Sequence, residues 1–166
     1  MSLNQLIDAL QKLIVTHRQM LHTAEVKREA IVKNDTDTLI KLLNQESMIL
    51  KQIQSQEAER SEAVGAFLLE RGIKSKLNLN ISEISRLVFD VEDKRRLQEV
   101  QNELSNTLRE LKELNDLNQR LVEQSLAFID YSLDVLVDKP TQAPVYQHPD
   151  QRQSTMGQFG LFDSRA

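Results

Sequence analysis

The side chains in this 166-residue chain best suited to acid–base or metal chemistry are three histidines and 25 carboxylates. His17 and His22 stand five apart, whereas two ligands on one helical face stand four apart. His17 falls among apolar residues at helical spacing, where a packed, hydrogen-bonded histidine is expected, and His148 lies close to the C-terminal end. No two carboxylates form an isolated pair in an apolar setting that would raise a pKa for proton transfer. Glu57, Glu59 and Glu62 read as a solvated face. There is no cysteine, which removes disulfides, thiolate metal sites and thiol nucleophiles. A glycine-rich phosphate loop, a nucleophile elbow and a calcium-loop pattern are all missing. The expectation is a binding protein rather than an enzyme, with no catalytic residue, cofactor or metal.

The elements that would position any binding residues are helices. Aromatics make up 4% of the chain, tryptophan is absent, and there are only four glycines and three prolines. Such a composition favours long helices with narrow, coiled-coil-like packing. The net charge is −4. The densest basic run, Lys94-Arg95-Arg96, is met directly by Glu92-Asp93, so nucleic-acid binding is disfavoured. No apolar stretch approaches the 18 or so residues of a membrane span, and the N-terminus lacks the pattern of a signal peptide. The expected location is the cytoplasm.

The first helix is expected over residues 2–33, with Leu3, Leu6, Leu10, Leu13, His17, Met20, Ala24 and Ile31 near one seam, widened by Ile7, Ile14 and Leu21. Asn34-Asp35-Thr36-Asp37 breaks it and offers caps for a second helix over 36–71. The expected buried face of that helix is Leu39, Leu42, Leu43, Ile49, Leu50, Ile53, Ala63, Val64 and Phe67, thinning to a wet middle between Gln54 and Glu62. Gly72 is a C-terminal stop. Residues 73–80 read as a loop, and Asn80 with Glu83 as a capping box for a short helix over 81–89. A last helix over 92–137 would be about 69 Å long at 1.5 Å per residue, with Leu97, Val100, Leu104, Leu108, Leu111 and Leu114 as its first seam. The fold class is therefore all-α: a long antiparallel helical hairpin or coiled-coil bundle of three long helices plus one short helix. Residues 1–137 form the bundle, and 138–166, which hold all three prolines and five glutamines, read as a disordered tail.

Within the last helix, residues 92–116 carry 12 charges in 25 positions, whereas Leu121–Val137 is apolar at 11 of 17 and charged at three. Val122, Leu126, Ile129, Leu133 and Leu136 form one apolar face at 100° per residue. Leu117, Leu121, Phe128, Tyr131 and Val135 form a second, about 140° away. One face can hold the helix to its own bundle. The other needs a partner, unless a bundle centre or a homodimer buries both. Asn115 and Asn118 carry two readings, setting the register of a coiled coil or bonding a bound peptide.

The run Asn115-Asp-Leu-Asn118-Gln-Arg-Leu121-Val-Glu-Gln-Ser125-Leu126-Ala-Phe128-Ile129 resembles a segment of the FlgN-type flagellar export chaperones. The Asn34-Asp35 break, the helix starting near Leu39, and a tail with Tyr146, Gly157 and Leu161-Phe162 resemble Gram-positive members of that family. The resemblance covers most of the chain. It implies a cytoplasmic chaperone of flagellar type III export. The implied clients are the two hook–filament junction (hook-associated) proteins, held through terminal segments that form self-associating helices outside the cell. The export apparatus is a further implied partner.

On this reading a client helix lies in a groove with Leu117, Leu121, Phe128, Tyr131 and Val135 as anchors, while Val122, Leu126, Ile129 and Leu133 hold the bundle. Asn115, Asn118, Ser125, Leu126 and Ile129 belong to the same candidate partner-binding stretch, and Tyr146 and Phe162 are candidate tail contacts. The alternative, from a different class, is a self-associating coiled-coil structural or tethering protein without a client.

Overall fold

Two helix ends set the layout of the chain, because each closes on a residue in the left-handed conformation. At Asn34 φ is 54°; Asn34 N donates to Ile31 O and Asp35 N to Ala30 O, at 3.1 and 2.9 Å. At Gly72 φ is 75°, with Gly72 N on Leu69 O and Ile73 N on Leu68 O at 3.0 and 2.9 Å. Both are Schellman stops, which satisfy the last carbonyls of a helix as the chain turns away. Side chains begin the next helices. Asp35 accepts from Thr38 N, Asn80 and Glu83 complete a reciprocal capping box, and Asp90 accepts from Asp93 N.

The computed structural model describes residues 2–74 and 79–137. Its helices are α1 (Ser2–Val32), α2 (Thr36–Glu70), α3 (Ile81–Arg86) and α4 (Val91–Leu136). The fold is all-α, three long helices and one short, with no strand among the described residues. α3 ends at Arg86, three residues before the expected Phe89, because Leu87 and Val88 close on Ile84 and Ser85 in a final tight turn. The tail 138–166, with Tyr146 and Phe162, and loop residues 75–78 lie outside the described residues. No described helix is long and apolar enough to cross a membrane. The chain divides into two compact units, Met1–Ala127 and Phe128–Ala166.

In the first unit α1 and α2 form an antiparallel hairpin whose register is marked by three cross-links. Ser2 bonds Glu70, Lys12 bonds Glu59 at 2.9 Å and Lys27 bonds Glu46 at 2.5 Å. α4 runs parallel to α1. Arg96 bonds Asn4, Arg18 bonds Glu103, and Asn118 bonds Ala24. The apolar core lies at one end, where Leu6, Leu10 and Leu13 of α1 meet Val64 and Phe67 of α2, Ile84 of α3, and Leu97 and Leu104 of α4. Beyond Ile14 polar residues join the apolar ones in the interior. Thr16, His17, Thr23, Gln56 and Thr107 are all buried. Gln56 falls within the stretch expected to be wet; it is packed, with its Oε1 lacking a hydrogen-bond partner.

α4 follows a strict heptad. From Leu97 to Ser125 every residue that is not exposed, except Gln101, falls at one of two heptad positions: Leu97, Leu104, Leu111, Asn118 and Ser125, or Val100, Thr107, Leu114 and Leu121. Leu108, expected on the seam, is exposed, and Thr107 takes its place.

Candidate functional site

Four-helix bundles have four corners, and in the first unit α3 fills the fourth only at the core end, through Ile84 and Val88. Toward the α1–α2 turn that corner is empty. The space is an open groove of about 650 Å³ between α2 and α4, with α1 as its floor. Met20 and Ile31 line the floor, Leu39, Leu43, Leu50 and Ile53 the α2 wall, and Leu108, Leu111 and Val122 the α4 wall. A larger cavity of about 970 Å³ adjoins it through Leu108 and is lined from within residues 60–74, 79–81 and 101–108.

The α2 wall departs from expectation. Leu43 and Leu50 were assigned to the buried face of α2, yet they are 50% and 52% exposed. Leu39, Ile49 and Ile53 are only half-buried. Their apolar spacing is that of a bundle helix, and the helix they would pack against is not among the described residues. Sequence periodicity cannot separate a face packed in the chain from one kept for another, which is why the α2 wall was missed as a site.

The seam that packs α4 follows neither expected apolar face as a whole. Leu121, expected as an exposed client anchor, is half-buried on the seam beside Asn118 and Ser125. Val122, Leu126, Ile129 and Leu133, expected to hold the helix to its bundle, are all exposed. A heptad seam drifts about 20° per repeat against a straight 3.6-residue helix. Over the four repeats from Leu97 to Ser125 the drift reaches about 80°, which brings the seam onto Asn118, Leu121 and Ser125, between the two faces.

Asn118, expected to meet a partner, is 2% exposed. Its Nδ2 donates to Ala24 O at 2.9 Å, while its Oδ1 has no partner. Asn115 is exposed on the groove rim, and Leu117 is exposed. Ser125 Oγ donates to Leu121 O at 2.9 Å. In the second unit, of which residues 128–137 are described, Phe128, Ile129, Tyr131, Leu133, Val135, Leu136 and Val137 are all exposed.

Charge chemistry is sparse. His17 is buried, with Nδ1 2.7 Å from Leu13 O. Among the described residues no cluster of three or more metal-binding side chains forms. The groove holds one ion pair, Lys27–Glu46, whose side chains are only 16% and 14% exposed. The arrangement presents an apolar trough of helical dimensions rather than reacting groups.

Comparison with known families decides what the trough belongs to. The family model described as FlgN protein matches residues 1–154. The chain belongs to the FlgN family. FlgN proteins are chaperones of flagellar export. The chain is also 28% identical, over the full length of both, to YvyG of Bacillus subtilis (strain 168), described as an uncharacterized protein. No solved structure matches.

Proposed function

We propose that this FlgN-family protein is a cytoplasmic chaperone that holds the terminal helical segments of the two hook–filament junction proteins before export. The client helix lies in the groove between α2 and α4 and completes the fourth corner of the bundle. The observation that carries this reading is the half-empty corner itself. α3 supplies the fourth helix at one end, and at the other Leu43, Leu50 and Val122 flank an apolar trough without one.

The groove extends about 21 Å along α4 from Leu108 to Val122, some four helical turns. An amphipathic client helix of that length meets it in the helix-in-groove mode. Burying about 500 Å² of apolar surface at 25 cal/mol/Å² gives on the order of 12 kcal/mol gross. Ordering the client takes back much of that. The remainder suits a chaperone that must protect its client and then release it.

Titration calorimetry with the C-terminal segments of both junction proteins tests the proposal. Micromolar or tighter binding is expected, lost in Leu43→Asp while circular dichroism stays helical. No binding to either segment, or binding indifferent to both Leu43→Asp and Leu50→Asp, overturns it. A second reading, self-association, is favoured by the exposed apolar residues of 128–137. Its signature is an oligomer that grows with concentration in sedimentation runs without any client.

A further inference from the structure

Three polar side chains interrupt the apolar groove at one level. Asn118 bonds Ala24 O, and Lys27, three residues further along α1, pairs with Glu46 of α2 at 2.5 Å. All three line the groove. The other half-buried or buried polar lining residue, His17, lies ten residues back along α1, about 15 Å away, and its Nδ1 already faces Leu13 O. Gln119 and Glu123 bond each other on the exposed rim.

Resting on the function proposed above, we infer that the groove selects a helix whose apolar seam is broken by one uncharged hydrogen-bonding residue seated against Lys27, Glu46 and Asn118. The lysine ammonium carries three donors and the carboxylate about four acceptor sites, so one contact between them leaves most unused. What exposure the pair retains is slight. An apolar residue laid over this layer would strip its remaining water and return no hydrogen bond, which is the costly case for a buried polar group. A charged residue would add an unbalanced charge to a pair that is already neutral in sum. A glutamine or asparagine both donates and accepts, and so can bond the carboxylate and the ammonium together. Single polar residues in an apolar seam fix register in coiled coils by the same logic. The layer would thus set where along the groove the client stops, while the leucines supply affinity.

The test uses two 18-residue amphipathic peptides with leucine seams, one carrying Gln at its central seam position and the other Leu there. Titrations are run against the full chain and against the Lys27→Met/Glu46→Leu variant, with the junction-protein segments as reference ligands. The wild type is expected to bind the Gln peptide about tenfold more tightly than the Leu peptide, and the double variant to reverse that order. If the double variant loses helicity, Asn118→Leu serves instead and is expected to narrow the preference. Equal preference in wild type and variant, or a wild-type preference for the Leu peptide, overturns the inference. So does binding of the reference segments with neither designed peptide bound, which leaves the chaperone reading standing. Failure of the reference segments themselves overturns both.

Discussion

The side-chain amide of Asn118 on α4 donates to the main-chain oxygen of Ala24 on α1, 94 residues earlier, at 2.9 Å. This contact is the buried one of three that mark the register of two parallel helices, and it uses half of a buried amide. The other half, Oδ1, has no partner. A polar residue at a heptad core position buys register at the expense of stability.

Asn118→Leu is therefore expected to raise unfolding free energy by about 1 kcal/mol. The change removes an unsatisfied buried acceptor, and Ala24 O remains a helical acceptor inside α1. Urea denaturation checks this. A loss of 1 kcal/mol or more would mean that Oδ1 is satisfied in solution by a bound water.

Aspartate substitutions separate the packed seam of α4 from its exposed apolar residues. Leu121 sits half-buried on the heptad seam, so Leu121→Asp is expected to cost about 2 kcal/mol, the desolvation penalty of a charge placed against packed apolar groups. Phe128 is 69% exposed, and Phe128→Asp is expected to change stability by less than about 0.5 kcal/mol. Thermal melts of the two variants, compared with wild type, check the order. Equal destabilisation would mean that Phe128 is packed in solution.

The helices themselves were legible because their ends are written in local chemistry. Asn34-Asp35 and Gly72 stop helices by backbone conformation, and Asn80 with Glu83 starts one through reciprocal bonds. The α1 seam was legible for a related reason, since its apolar residues are buried in the same chain that displays them. The α4 faces were not. The seam passes through Thr107, Asn118 and Ser125, which no hydrophobicity pattern marks, and its drift across four heptads accumulates beyond the reach of a projection made from the last turns. The groove was hidden for a third reason. Leu43 and Leu50 have the spacing of buried residues, and only the position of α3, confined to one end, reveals that nothing in the first unit covers them.

Glu70 ties the end of α2 to the start of α1 by accepting from Ser2, and the Ser2 hydroxyl, then its N–H, holds the carboxyl below its ordinary value of 4.5. A carboxylate with a depressed folded-state pKa contributes stability that is fully present above the unfolded value and is lost as pH falls through the folded one. The melting temperature of the wild type is thus expected to fall more steeply from about pH 5 to about pH 3 than that of Ser2→Ala. Parallel melts at those pH values check it. Identical slopes would show that the contact is absent in solution.

The sharpest contrast lies between two leucines of similar spacing on the hairpin. Leu10 is fully buried in the core that α3 completes, and Leu43 stands half exposed where the fourth corner is empty. Leu10→Ala is expected to cost about 2–5 kcal/mol, the sum of lost transfer energy and the cavity left behind. Leu43→Ala leaves no closed cavity and is expected to cost less than about 1 kcal/mol, while weakening the junction-protein segments at least about fivefold through lost apolar contact. Urea melts give the first pair of numbers and calorimetry the third. If Leu43→Ala destabilised the free protein as much as Leu10→Ala, the α2 wall would already be covered within the chain, and the groove would not be open to a client.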